Sequence, residues 1–196
     1  MIRRLGWPAL AALLCAAALW ARGVPPTAID WQPDLAWAEP WRAFSAAALH
    51  YSDRHLGANL AGCLLVGALG MAAQVPPRST LAWLAAWPLT QFGLLSQPEL
   101  RHFGGLSGVL HAGVAVVAVH LLCHGRGRPR WVGAALAAGL CIKVLGESPW
   151  GPPLRQVPGW DIALAPVAHA SGAIAGALCT LAAEALAWRS LPHDHA

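Results

Sequence analysis

Residues 106–123 read LSGVLHAGVAVVAVHLLC, 18 consecutive positions without Asp, Glu, Lys or Arg. An α-helix of about 20 apolar residues crosses the ~30 Å hydrocarbon core of a bilayer. The stretch therefore predicts a membrane-spanning helix. Strongly polar side chains are costly at membrane depth, so each one inside such a helix is a candidate functional residue.

The rest of the chain has a similar composition. Of its 196 residues, 57% are hydrophobic and 11% are charged, whereas soluble domains carry about 25% charged residues. Six apolar runs rich in small residues are separated by prolines, where helices end. The runs cover about 5–21, 56–73, 81–95, 106–123, 131–145 and 162–188. We therefore expect one all-α domain over residues 1–196, a bundle of six transmembrane helices, of which the third and fifth are short.

The first run permits a second interpretation. Arg3 and Arg4 followed by an apolar stretch also resemble a secretory signal peptide, and Ala16–Ala18 mimics a cleavage site. The run is longer than a typical signal core, however. Keeping it as a span gives the whole chain a consistent orientation, so we expect it to be retained.

Arginine distribution predicts that orientation. With six spans and a cytoplasmic N-terminus, seven arginines fall in cytoplasmic segments, including the cluster Arg126, Arg128 and Arg130, and five fall outside with most of the acids. This follows the positive-inside rule and predicts a multi-pass inner-membrane protein with both termini cytoplasmic. The net charge of +4 is then a topology signal, and no basic face with interleaved aromatics indicates nucleic-acid binding.

Ser107 lies in Gly104-Gly105-Leu106-Ser107-Gly108, at the start of the fourth predicted span. Glycines such as Gly105 and Gly108 let the backbone approach a substrate closely. Free N–H groups at a helix N-terminus can stabilise an oxyanion. The alternative interpretation is a helix-capping serine between packing glycines.

His169 lies about two turns into the sixth predicted span, near Gly172 and Gly176. These glycines are four residues apart and share one helix face, which can pack tightly against another helix. If that helix is the fourth span, His169 meets Ser107 and can take its proton as general base. The alternative is a buried histidine satisfied by a structural hydrogen bond.

His55 and Asn59 are four residues apart at the start of the second span, at the same outer depth as Ser107 and His169. Their side chains can join the Ser107 N–H in binding an oxyanion. Polar contacts that hold helices together are the alternative. His50 precedes them, in the loop.

The remaining polar groups have simpler interpretations. Lys143 and Glu147 have i,i+4 spacing, which predicts a structural ion pair. His120, Cys123 and His124 form a short cluster at the cytoplasmic end of the fourth span, too small by itself to indicate a metal or haem site. We expect no metal and no cofactor.

The sequence resembles the rhomboid intramembrane serine proteases from about Trp41 to Gly176. Four pieces carry the resemblance, in the family's order: Trp41-Arg42; His50 with His55 and Asn59; Gly105-Leu106-Ser107-Gly108; and Ala168-His169 with Gly172 and Gly176. The resemblance implies a Ser107–His169 dyad without a third carboxylate, and no Asp or Glu adjoins His169 in the sequence. It also implies that Ser107 attacks a peptide carbonyl in or beside a substrate's transmembrane helix, with an oxyanion hole from His55, Asn59 and the Ser107 N–H.

His111 departs from the pattern of many rhomboids, which carry a tyrosine four residues after the serine. Residues 105–111, GLSGVLH, in a compact chain are similar to the rhombosortase subgroup. That similarity implies a membrane-anchored bacterial protein substrate whose C-terminal tail has a small Gly-rich motif, an apolar span and basic residues. His111 either tunes His169 or fills the space of the tyrosine.

Two other function classes compete with the protease. A catalytically silent rhomboid-like protein would bind membrane clients, but such proteins usually lose the dyad, which is intact here. A small haem or metal protein would use some of the nine histidines. It would need paired histidines at one depth, and His120 and His124 lie at the opposite end from His55 and His169.

Overall fold

The computed structural model describes residues 5–189, and within that range the protein is all-helical with no β-strand. Eight helices follow in order: α1 (Gly6–Trp20), α2 (Pro26–Ile29), α3 (Arg42–Ser45), α4 (Asp53–Ala72), α5 (Pro77–Phe92), α6 (Ser107–His124), α7 (Arg128–Gly146) and α8 (Pro166–Arg189). Short 3₁₀ turns occupy Pro33–Leu35, Ala46–Ala48 and Gly93–Ser96. The predicted membrane orientation also rests on Arg3, Arg4 and both termini, which lie outside the described residues.

Four helices, α4, α6, α7 and α8, are long and apolar enough to cross a membrane, with mean hydropathies of 1.5, 1.6, 1.2 and 1.5. The prediction of a helical membrane protein is confirmed to that extent. The other two predicted spans correspond to α1 and α5, which have 15 and 16 residues. At 1.5 Å per residue they are about 22–24 Å long, shorter than a ~30 Å hydrocarbon core. Six spans therefore remain a prediction.

Helix α6 is the centre of the bundle. It packs against α4, α5, α7 and α8. Of its most apolar 18-residue window, 61% is buried inside the protein, against 11% for α7. The indole of Trp83 on α5 donates to the carbonyl of Val109 on α6 at 2.8 Å, which satisfies a polar group in the core. The N-terminus of α6, where Ser107 lies, is thus held by neighbours on several sides.

Helices α6 and α8 approach each other through glycines. A Cβ on Gly172 would lie 1.9 Å from the carbonyl oxygen of Gly108, and one on Gly176 would lie 2.3 Å from that of Ala112. No larger residue fits at this backbone-to-backbone contact unless the two helices move apart. The predicted small-residue face of the last helix is confirmed, and its partner is the helix that begins at Ser107.

The segment between α1 and α4 supports residues 103–105, the extended stretch that leads into α6. Trp31 and Phe103 exchange two backbone hydrogen bonds of 2.7 and 3.0 Å, and the Gly105 N–H donates to the carbonyl of Ala46. Arg42, of the Trp41-Arg42 pair, is buried and donates to the backbone and carboxylate of Asp30. This ion pair with its backbone bonds fixes the loop that positions Ser107.

Candidate functional site

Ser107 and His169 form a direct contact. The Oγ of Ser107 lies 2.9 Å from the Nε2 of His169, a hydrogen bond between the first residue of α6 and the first turn of α8. The His169 side chain is buried. The close packing of Gly172 on Gly108, one turn away, sets this distance because the two helix backbones nearly touch there.

His169 lies nearer the start of its helix than the sequence suggested. The apolar run from 162 predicted two helical turns before it, but α8 begins at Pro166. Residues 162–165 are drawn into a loop because Arg155 and Leu164 exchange backbone hydrogen bonds of 2.8 and 2.9 Å. This loop, residues 154–165, forms one wall of the site, and no pattern in the sequence predicted it.

A cavity of about 420 Å³ opens beside the Ser107–His169 pair. Its lining includes Tyr51, His55 and Phe103 on one side and Leu154, Asp161 and Ala165 of the loop on the other. Asp161 accepts a hydrogen bond of 2.9 Å from Ser52 at the start of α4, which fastens the loop across the site.

His55 lines this cavity, whereas Asn59 is buried one turn further along α4. The Nδ1 of His55 and the Nδ2 of Asn59 have no hydrogen-bond partner among residues 5–189. Buried polar atoms without partners are rare and call for an explanation. Both side chains therefore keep an unused hydrogen-bonding atom at this end of α4.

The two predicted glycines have different roles. Gly105 has a φ of +151°, and a Cβ there would lie 3.0 Å from the His55 ring, so glycine lets that ring lie against the backbone before Ser107. Gly108 was predicted to bind substrate, but a Cβ there would lie 2.7 Å from the carbonyl oxygen of Ala168. Gly108 packs against α8, and Gly104 is the glycine of this motif that lines the cavity, so substrate binding by Gly108 stays a prediction.

The two predicted modulators are both near the site. The His111 ring stacks on the His169 ring with centroids 4.2 Å apart and planes at 10°. Its Nδ1 lies 2.7 Å from the carbonyl oxygen of Ser107, which can only accept, so this nitrogen donates. His50 lies in the loop with its ring 4.8 Å from that of His55, and burial lowers its pKa.

A carboxylate contacts His169, whereas the family resemblance implied a Ser107–His169 dyad without a third, acidic residue. The Oε2 of Glu147, just after α7, lies 2.6 Å from the Nδ1 of His169. The predicted ion pair between Lys143 and Glu147 also forms, through the other carboxylate oxygen. Burial alone would raise the pKa of Glu147, but its bonds to His169 and Lys143 lower it to about 2. Glu147 is therefore ionised. It lies 22 residues before His169 in the sequence, and the chain between α7 and α8 folds back to bring the two side chains together.

The histidines at the opposite end belong to a separate cluster. His120, His124 and Glu184 bring their ligand atoms within 4.8 Å of one another. Arg78, however, donates to Glu184 at 2.8 Å and lies 3.2 Å from the Nε2 of His124. A guanidinium in that position neutralises the only carboxylate of the cluster, which makes it an ion-pair network joining α5, α6 and α8.

Comparison with known proteins does not assign the chain to a family. Searches against models of known protein families and against curated proteins both give no match. The contacts among the Ser107, His169 and Glu147 side chains, and the cavity beside Ser107 and His169, are the features that indicate a function.

Proposed function

We propose that the protein is an intramembrane serine endopeptidase of the rhomboid type. The observation that carries the proposal is the 2.9 Å contact between the Ser107 Oγ and the His169 Nε2, next to a cavity in a helical membrane protein. A serine hydroxyl is a weak nucleophile until an adjacent base takes its proton, and such a proton transfer requires a hydrogen bond of about this length.

The reaction follows from these positions. As His169 Nε2 takes the hydroxyl proton, Ser107 Oγ attacks a peptide carbonyl carbon held in the cavity. The resulting oxyanion accepts hydrogen bonds from the Ser107 backbone N–H, which has no intrahelical partner at the first position of α6, and from His55 and Asn59. His169 then gives its proton to the leaving amine, and water hydrolyses the acyl-enzyme by the same steps in reverse order.

We further propose six spans, with the two shorter helices α1 and α5 completing the bundle. The termini are cytoplasmic and the site faces the outer side of a bacterial plasma membrane, as the arginine asymmetry indicates. The substrate is a membrane-anchored protein cut in or beside its transmembrane segment. The similarity of residues 105–111 to rhombosortases favours an exported protein with a C-terminal sorting tail.

Reactivity of Ser107 towards a fluorophosphonate probe tests the mechanism without a known substrate. The purified wild-type protein should be labelled at Ser107, while Ser107→Ala and His169→Ala should not, because nucleophile and base act as a unit. Ser171→Ala is the matched control, since its hydroxyl lies on α8 but donates to the carbonyl of Thr90, away from the dyad.

Co-expression with a candidate tail-anchored substrate then tests the activity itself. Wild type and Ser171→Ala should cut it, and Ser107→Ala should leave it intact with unchanged membrane insertion. Cleavage by Ser107→Ala at an appreciable rate would refute the serine mechanism.

A further inference from the structure

We propose that Glu147 is a positioning residue that holds the His169 imidazole in the tautomer and orientation needed to accept the Ser107 proton, so that the site works as a Ser–His–Glu triad. This inference rests on the proposed function. It departs from the dyad that the family resemblance implies, and it assigns a second function to an acid whose spacing indicated only an ion pair with Lys143.

The Glu147–His169 contact has the geometry of a strong hydrogen bond. Its length of 2.6 Å is at the short end for a bond to a charged acceptor. The side chains of His169 and Glu147 are only 7% and 16% exposed, so water competes little for either partner. A charge-assisted bond in such surroundings is stronger than the same bond at a surface.

The carboxylate dictates where the imidazole proton lies. Glu147 is ionised and can only accept, so the His169 Nδ1 must carry the proton. In a neutral imidazole the Nε2 then has a free lone pair, and this nitrogen faces the Ser107 Oγ. Without Glu147, the proton could move to Nε2, where it would block the base.

The surroundings of the ring support the same assignment. His111 stacks on one face of His169 and is itself tied to the Ser107 carbonyl. Lys143 holds the second oxygen of Glu147, and Arg155 donates to the Glu147 backbone carbonyl at 3.0 Å. The carboxylate is therefore held by its own side-chain and backbone contacts, and it is not free to rotate away from the histidine.

The proton balance needs only one mobile proton. It moves from Ser107 Oγ to His169 Nε2 as the new C–O bond forms, and from Nε2 to the amine nitrogen as the C–N bond breaks. Glu147 stays ionised throughout and stabilises the imidazolium that exists between the two steps. It does not line the cavity among the described residues, so it acts on the substrate only through His169.

Kinetics of the full-length protein in proteoliposomes test the inference. Glu147→Gln should lower kcat by about 100- to 10,000-fold with KM unchanged, because a carboxamide can donate to Nδ1 and favour the wrong tautomer. Glu147→Asp should recover part of this loss by keeping the carboxylate. Glu99→Gln, a change at an exposed acid, is the matched control and should keep the wild-type kcat.

Spectroscopy supplies a readout that a structural role would not change. With ¹⁵N-labelled histidine, wild type and Ser107→Ala should both show His169 protonated at Nδ1, with the proton shifted strongly downfield by the carboxylate. Resonances showing a neutral His169 protonated at Nε2 instead of Nδ1 in the wild type would overturn the inference even if no Glu147 variant folds.

The two proposals fail separately. A folded Glu147→Gln protein with wild-type kcat, beside an inactive Ser107→Ala, would remove the triad and leave the serine protease standing. A wild-type protein whose Ser107 neither reacts with the fluorophosphonate nor is needed for cleavage would remove the proposed function itself.

Discussion

Gly172→Ala tests whether helix packing sets the distance between the proposed nucleophile, Ser107, and the proposed base, His169. The added Cβ would lie 1.9 Å from the carbonyl oxygen of Gly108, whereas a carbon and an oxygen in contact are about 3.3–3.6 Å apart. Because both atoms belong to helix backbones, side-chain rotation cannot relieve the clash. The axes of α6 and α8 must separate locally by about 1.4–1.7 Å.

Such a shift is large compared with the tolerance of the site. The Ser107–His169 bond of 2.9 Å lies one turn from Gly172 and would lengthen beyond hydrogen-bond range. A misplacement of about 1 Å can cost about 100-fold in rate. Overpacking of a tight core costs about 1–3 kcal/mol of stability. We therefore expect Gly172→Ala to lose most of its kcat while still folding, with a lowered Tm.

Initial rates of cleavage and fluorophosphonate labelling, measured with thermal unfolding on the same preparations, give both quantities. The matched control is Gly139→Ala on α7, where an added Cβ meets no atom within 4 Å, so activity and Tm should be retained. Gly176→Ala, whose Cβ would lie 2.3 Å from the Ala112 carbonyl oxygen, should lower Tm with a smaller loss of rate, since it is a turn further from His169. Wild-type rate and Tm in Gly172→Ala would refute the packing argument.

Three further predictions concern the oxyanion contacts, pH and topology. His55→Ala and Asn59→Ala should each slow cleavage about 100- to 1000-fold without abolishing it, because the Ser107 N–H remains; full activity per folded molecule would remove them from the site. The pKa of Glu147 is about 2 in the folded protein against 4.5 for the free group, so its contribution to stability is complete above pH 4.5 and is lost as pH falls towards 2. Acid-unfolding curves of wild type and Glu147→Gln should therefore converge at low pH, and a constant difference between them would contradict this. A cysteine introduced by Arg128→Cys should be labelled by a membrane-impermeant thiol reagent only from the cytoplasmic side. Labelling of that cysteine from outside would reverse the proposed orientation.

The Ser107–His169 contact could be predicted from sequence because local patterns encode it. Apolar length indicates the helices, and Gly172 with Gly176 marks the face on which α8 meets another helix. Because Ser107 and His169 lie at the same depth in their predicted spans, packing of the two helices brings the hydroxyl and the imidazole together. These features depend on residues within a few positions of one another, and helical periodicity is regular enough to place their side chains.

Element ends and long loops were less predictable. The apolar residues at 162–165 continue the hydropathy of α8, but Leu164 pairs with Arg155 and Pro166 begins the helix. An apolar run cannot distinguish a buried loop wall from a helical turn, because both exclude water. The surroundings of Gly108 were unpredictable for a related reason: glycine permits close approach, but the sequence does not say whether a substrate or a helix approaches, and in the structure α8 approaches.

Glu147 shows how a correct local interpretation can conceal a second contact. Its i,i+4 spacing from Lys143 predicted an ion pair, and that pair forms. A carboxylate has two oxygens, however, and a partner for one says nothing about the other. The second oxygen meets His169 only because α7 ends at Gly146 and the chain returns to start α8 beside it. Absence of an acid next to a histidine in sequence is therefore weak evidence for a dyad, since an acid on a neighbouring helix end can reach the same imidazole.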